Sequence, residues 1–147
     1  ELQLVERITR FVEWPPLLMP SADAPVVVCL WGEDTVGVRF EAAADHTTFK
    51  GRRVEVRRPA LEALGGCHLV WVATSLSVDL DRLLLRTSGR PILTIATTPG
   101  YAHHGVLVNL QTEDGTPDME INLAEVRRSG LVFSARLLRL ATLVTGR

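Results

Sequence analysis

The sequence predicts an α/β fold, a Rossmann-like sandwich of about six strands, four parallel and then an antiparallel hairpin, flanked by about five helices. Three observations lead there. From Pro25 to Ala96, apolar runs of strand length alternate with amphipathic stretches across short breaks, the rhythm of parallel strands joined by crossover helices. After Gly105 the rhythm changes to two alternating runs, 105–112 and 116–123, on either side of the turn signal Glu113-Asp114-Gly115. The stretch from Asp118 onward then reads as strand, helix, apolar link and second helix, a lid for the upstream sheet to close against.

Taken in order, Leu4, Ile8, Phe11 and Val12, with Val5 beside them, put an apolar stripe on an opening helix that Pro15-Pro16 must end. Trp14 stands at the exit, where an aromatic serves either as a core residue or as an anchor for a partner. Residues 25–31 form an unbroken apolar run, expected of a central strand buried on both faces. Gly32 to Gly37 has the spacing of a phosphate loop. However, Val38-Arg39 replace the required Lys and Ser/Thr, and Glu33-Asp34 repel phosphate, so a nucleotide site is rejected. A helix over 35–44, a strand over 52–58, a short helix over 59–65 and a strand over 68–73 follow. A helix over 79–86 and a strand over 91–96 complete the parallel part.

In the closing stretch Met119, Ile121 and Leu123 alternate with Asp118, Glu120 and Asn122, the signature of a strand with one buried face. Asn122 and Glu125 supply both ends of a capping box for a helix over 124–128, which Ser129-Gly130 stops. Leu131 to Phe133 make an apolar link. Ser134 is a second N-cap, and Leu137, Leu140, Ala141 and Val144, at i, i+3, i+4 and i+7, predict a last helix lying on apolar surface.

Composition narrows the function classes. The length suits one domain spanning 1–147, and 46% apolar with 22% charged residues is a globular balance. A net charge of -1 supplies no general attraction to nucleic acid or anionic lipid, and no apolar run approaches the roughly 20 residues that span a bilayer. The chain opens inside a helical pattern with no charged and apolar leader before it, as a processed chain would. Basic residues are fifteen arginines against the single Lys50, a bias that reads first as a habit of composition and second as carboxylate-binding surface.

Cys29 and Cys67 fall in or beside core strands. If those strands are parallel and aligned at their C-terminal ends, Cys67 lies several residues nearer the bottom, which disfavours a disulfide needing Cα atoms roughly 4.4–6.8 Å apart. Small buried thiols are the preferred reading, and an oxidising compartment leaves the pairing open.

No catalytic or metal constellation survives scrutiny. His103-His104 on an extended chain point opposite ways and make a poor chelate, with no second Cys/His pair to complete a site. Ser75 and Ser77 lie just beyond a strand end, where α/β folds bind ligands, yet G-x-S-x-G is missing. Asp34, Thr74, Thr97 and Thr98 gather at strand ends, where their ordinary task is capping helices. The polar set of most interest is Arg127, Arg128, Arg136 and Arg139 with Glu120 and Asn122. It reads as a solvated helix face or, more sharply, as a contact surface, since arginine is enriched at interfaces.

Several motifs carry a family resemblance. Glu120-Ile121-Asn122-Leu123, then Arg127-Arg128-Ser129-Gly130-Leu131, then Ser134 followed by Leu137-Leu138 and Leu140-Ala141, resemble the C-terminal signature of the YfiR family. Arg10-Phe11-Val12-Glu13-Trp14-Pro15 resembles that family's opening helix, and residues 28–34 and 66–72 resemble its two central strands, so the likeness spans nearly the whole chain. The resemblance implies a periplasmic repressor, without cofactor or enzymatic activity, of a diguanylate cyclase anchored in the inner membrane. It would bind the cyclase's periplasmic sensor part, and its release would raise cyclic-di-GMP and promote biofilm formation. It also implies a homodimer, for which Trp14 and nearby apolar surface are the expected contact. The expected partner- or ligand-binding residues are therefore Trp14, Glu120, Asn122, Arg127, Arg128 and Arg136. A small-molecule sensor, with a crevice at the strand ends or beside the closing helices, is the alternative. An enzyme lacks a credible nucleophile or base.

Overall fold

A computed structural model describes residues 2–74, 79–113 and 115–145, with the backbone alone at 112, 113, 116 and 117. Its strands are β1 (Val12–Glu13), β2 (Val26–Trp31), β3 (Thr48–Phe49), β4 (Arg52–Arg57) and β5 (Leu69–Val72), then β6 (Leu93–Ala96), β7 (Val108–Glu113), β8 (Thr116–Asn122), β9 (Val132–Phe133) and β10 (Thr142–Val144). The helices are α1 (Leu2–Arg10), α2 (Thr35–Ala43), α3 (Leu80–Thr87), α4 (Tyr101–His104), α5 (Leu123–Ser129) and α6 (Ala135–Leu140). Eight strands form one sheet in the order β10-β8-β7-β6-β5-β2-β4-β3, and β1 and β9 pair apart from it.

The expected parallel layer is present, with β4, β2, β5 and β6 paired in parallel. The expected hairpin is present too: β7 joins β6 in parallel and β8 returns antiparallel to β7. Alternation decides which side chains face which way. Val26, Val28, Leu30, Leu69, Trp71, Leu93 and Ile95 point into a core covered by α1, α2, α5 and α6, while Val27, Cys29, Val70, Val72 and Ala96 point into a second core under α3. That double cover is why the central strands read as unbroken apolar runs. Helix starts follow side-chain capping, which satisfies an amide the helix cannot: Asp34 Oδ1 accepts from Gly37 N at 2.8 Å and Ser134 Oγ accepts from Leu137 N at 3.2 Å.

Four expectations need correction. The first concerns the cysteines. Cys29 and Cys67 are disulfide-bonded with Cα atoms 5.9 Å apart. Cys67 is not in line with β5; it ends a 3₁₀ turn, Leu61–Gly66, that packs Leu64 over the same face of the sheet as Cys29. The short helix expected over 59–65 is this turn, wound as 3₁₀ over Leu61–Gly66.

The second correction is the final helix. It stops at Leu140, which is 70% exposed, and Thr142–Val144 pair in parallel with Glu120–Asn122 as an edge strand. β8 offers an unpaired backbone edge there, and the β-branched Thr142 and Val144 suit a strand better than a further helical turn. Third, the capping box is half made. Asn122 Oδ1 accepts from Glu125 N at 3.1 Å, but the Glu125 carboxylate turns away to accept from Ser88 Oγ at 2.8 Å and to pair with Arg128. Fourth, Tyr101–His104 is a helical turn, so His103 and His104 do not lie on extended chain.

Candidate functional site

The six residues expected to contact a partner or ligand do not form one surface. Trp14 is 6% exposed and part of the main core, its indole Nε1 donating to His68 O at 3.1 Å and its ring edge-on to the His68 imidazole. Asn122 is fully buried. Besides capping α5, its Nδ2 donates to Ala102 O at 2.8 Å, tying α4 to the end of β8. Both side chains are committed to the fold, so neither offers surface to a partner in this structure.

Arg127 and Arg136 are exposed, on the last turn of α5 and the first turn of α6. Near them in the chain Val132 is 62% exposed, and Leu140, which the helical stripe would have buried, is 70% exposed. Arg128 faces elsewhere. Its guanidinium pairs with Glu125, which is 5% exposed, and both line a 640 Å³ groove with Asp81, Leu84, Leu85, Ser88 and His104. A polar group that deep needs partners, and Ser88 with Arg128 supplies one to each carboxylate oxygen.

Glu120 lies on the face of β8 that points away from the main core. Opposite it stand Asn109 on β7 and Thr142 on β10. Asp118, two residues earlier on the same face, accepts from Gln111 Nε2 at 3.4 Å and from Thr142 Oγ1 at 3.3 Å.

The remaining candidates fall into supporting roles. Asp34 caps α2 and also accepts from Trp71 Nε1 at 3.0 Å, so the place where a phosphate would sit is taken by the chain's own carboxylate. His103 anchors the chain end, Nδ1 donating to Thr145 O at 3.2 Å, and His104 lines the groove. Thr74 is exposed and Thr97 half-buried; Ser75 and Ser77 lie outside the described residues.

At the surface Glu41 pairs with Arg58. The guanidinium hydrogen-bonds the carboxylate at 2.9 Å and holds the Glu41 carboxyl below its ordinary range.

Two residues escaped the reading of the sequence. His68 Nδ1 accepts from Val27 N at 2.9 Å, which puts the ring proton on Nε2, 2.7 Å from Leu18 O. That histidine therefore staples β2 and the Pro16–Leu18 turn to the start of β5. Asn109 is the other: a fully buried amide within an apolar run, 106–110, is a polarity break that marks a special position.

A family model, DUF4154, described as YfiR/HmsC-like, matches residues 1–142, and no curated protein matches the chain. Among the described residues no helix is long and apolar enough to cross a membrane. The match covers far more than half of the sequence, so the chain belongs to the YfiR/HmsC-like family, a family of periplasmic regulators of cyclic-di-GMP signalling.

Proposed function

We propose that this protein represses a membrane-anchored diguanylate cyclase by binding the cyclase's periplasmic sensor part, and that it has no enzymatic activity of its own. The observation that carries the reading is membership of the family over 1–142. The surface of the closing segment supports it: Arg127, Arg136 and Arg139 stand exposed on the same short stretch as Val132 and Leu140, the pairing of arginine with open apolar side chains that interfaces favour. Repression works as a population shift, in which the partner is held inactive only to the extent that its inactive state binds this chain more tightly. Release then raises cyclic-di-GMP and promotes biofilm formation. A second copy of the chain is the other partner we propose. With Trp14 inside, the dimer contact falls to exposed residues such as Leu143 on the edge strand β10.

The test is affinity capture from membranes of the source cell. Wild-type protein is expected to recover a diguanylate cyclase, and the pair Arg127→Glu with Arg136→Glu to lose at least tenfold in recovery, about 1.4 kcal/mol. Capture that recovers no cyclase or sensor protein sinks the reading.

The 640 Å³ groove between α3 and α5 favours a second reading, a small-molecule sensor acting on another membrane signalling protein. A metabolite that raises the melting temperature of the wild type but not of Leu84→Glu would establish it.

A further inference from the structure

Three side-chain oxygens among the described residues are buried with no hydrogen-bond partner: Thr98 Oγ1, Asn109 Oδ1 and Glu120 Oε1. Buried polar atoms are almost always paired, so three orphans demand a cause. Their placement supplies one, because they are neighbours. Asn109 and Glu120 are direct cross-strand partners on one face of β7 and β8, which puts their Cβ atoms roughly 5 Å apart. Thr98 sits beside them, its carbonyl accepting from Asn109 Nδ2 at 2.9 Å. That bond also fixes the amide: with the nitrogen committed to Thr98, the free atom is the oxygen. Across four adjacent strands the row runs Ala96, Asn109, Glu120, Thr142.

The chemistry of the set points one way. An amide oxygen and a carboxylate oxygen can only accept, and a hydroxyl can accept as well, so what satisfies all three is positive or donates protons. The charge agrees. Neither Glu120 nor Asp118, on the same face, is in an ion pair with a basic side chain among the described residues. The oxygens are also buried, which suits a small ion better than the head of a bulky organic cation.

We propose that Thr98, Asn109 and Glu120 form a weak site for a hard divalent metal cation of the calcium class, with Oγ1, Oδ1 and Oε1 as its protein ligands. Calcium accepts mixed hydroxyl, amide and carboxylate oxygens in irregular geometry and completes its shell with water, whereas magnesium demands a near-ideal octahedron. Groups of three or more His, Cys, Asp and Glu fit to hold a metal do not occur among the described residues, and two of these ligands are neutral. That is why the site has no motif. With one coordinating carboxylate the affinity belongs at the weak end for such sites, about 0.1–1 mM.

Thermal unfolding of the whole chain in calcium, magnesium and sodium chlorides at matched ionic strength tests the proposal. Calcium is expected to raise the melting temperature by a few degrees with half its effect at about 0.1–1 mM, magnesium to do less, and sodium to do nothing. Glu120→Gln keeps the shape and removes the charge, and should move the half-effect at least tenfold higher. Asp45→Asn, an exposed acid near the opposite edge of the sheet, should leave it in place. Should Glu120→Gln fail to fold, nuclear magnetic resonance of the wild type decides: calcium is expected to shift the Asn109 side-chain amide and the Thr98 backbone amide before other signals. No calcium response in the wild type, an equal response to sodium, or an equal response in Glu120→Gln overturns the proposal and leaves the three oxygens to water.

Discussion

The two halves of the sheet are built on different terms. In β2, β5 and β6 both faces are apolar and both are covered, so Trp71 and Leu69 on one side and Val70 and Val72 on the other are essentially shut from water. In β7 and β8 only one face joins the core, through Val108, Leu110 and Ile121, while the other carries Asn109, Gln111, Asp118 and Glu120. A layer covered twice has no room for chemistry. A layer that is apolar on one face only keeps a second face on which polar groups collect, and the candidate cation site lies there.

The contrast can be broken by substitution. The largest effect is expected in the doubly covered half: Trp71→Ala removes a ring packed against Phe40 and an indole bond to Asp34, and should cost about 5 kcal/mol in urea unfolding. Leu110→Ala, in the half that is apolar on one face only, should cost about 2 kcal/mol, because it removes a smaller side chain from the core. Equal costs would erase the distinction.

Reduction of Cys29–Cys67, or the pair Cys29→Ala with Cys67→Ala, ranks between those two. The bond closes a sequence separation of 38 residues and is worth about 4 kcal/mol by loop entropy, so the reduced protein should unfold at much lower denaturant with the same fold before the transition. A reduced chain as stable as the oxidised one would show that the second core holds without its staple.

The smallest effect belongs to the exposed pair Glu41 and Arg58. Because Arg58 lowers the Glu41 carboxyl, the pair's contribution is present at neutral pH and is lost as the pH falls through the lowered value. Wild type and Glu41→Gln should therefore differ slightly at pH 7 and converge in acid; a gap that persists in acid would mean packing, not charge.

What could be read in the residues was what is local. The apolar run of β2, the pairing of β7 with β8, and the caps Asp34, Asn122 and Ser134 each depend on a few neighbours, and each is where the pattern puts it. The misses depend on contacts far along the chain. The end of α6 turns on an edge of β8 some twenty residues upstream, and the disulfide turns on how 61–66 folds over β2. Trp14 reads as a core residue or as a partner anchor, and the assembled layers decide for the core; Asn122 reads as a cap, with nothing local to say that it is fully buried. The site is fainter still: Thr98, Asn109 and Glu120 come together only through register, and no spacing along the chain encodes that.

The short ribbon of β1 and β9 has a further consequence. Val12 lies against Phe133, Glu13 against Val132, and Ser134 N donates to Phe11 O at 2.9 Å, so the opening dozen residues are hemmed to the segment that launches α6. The exit of α1 and the start of α6 thus share one seam. Trimming the chain back past Val12 unpicks the closing helix as well, and a tug on that helix reaches the Trp14 and His68 stitch on the far end of the same thread.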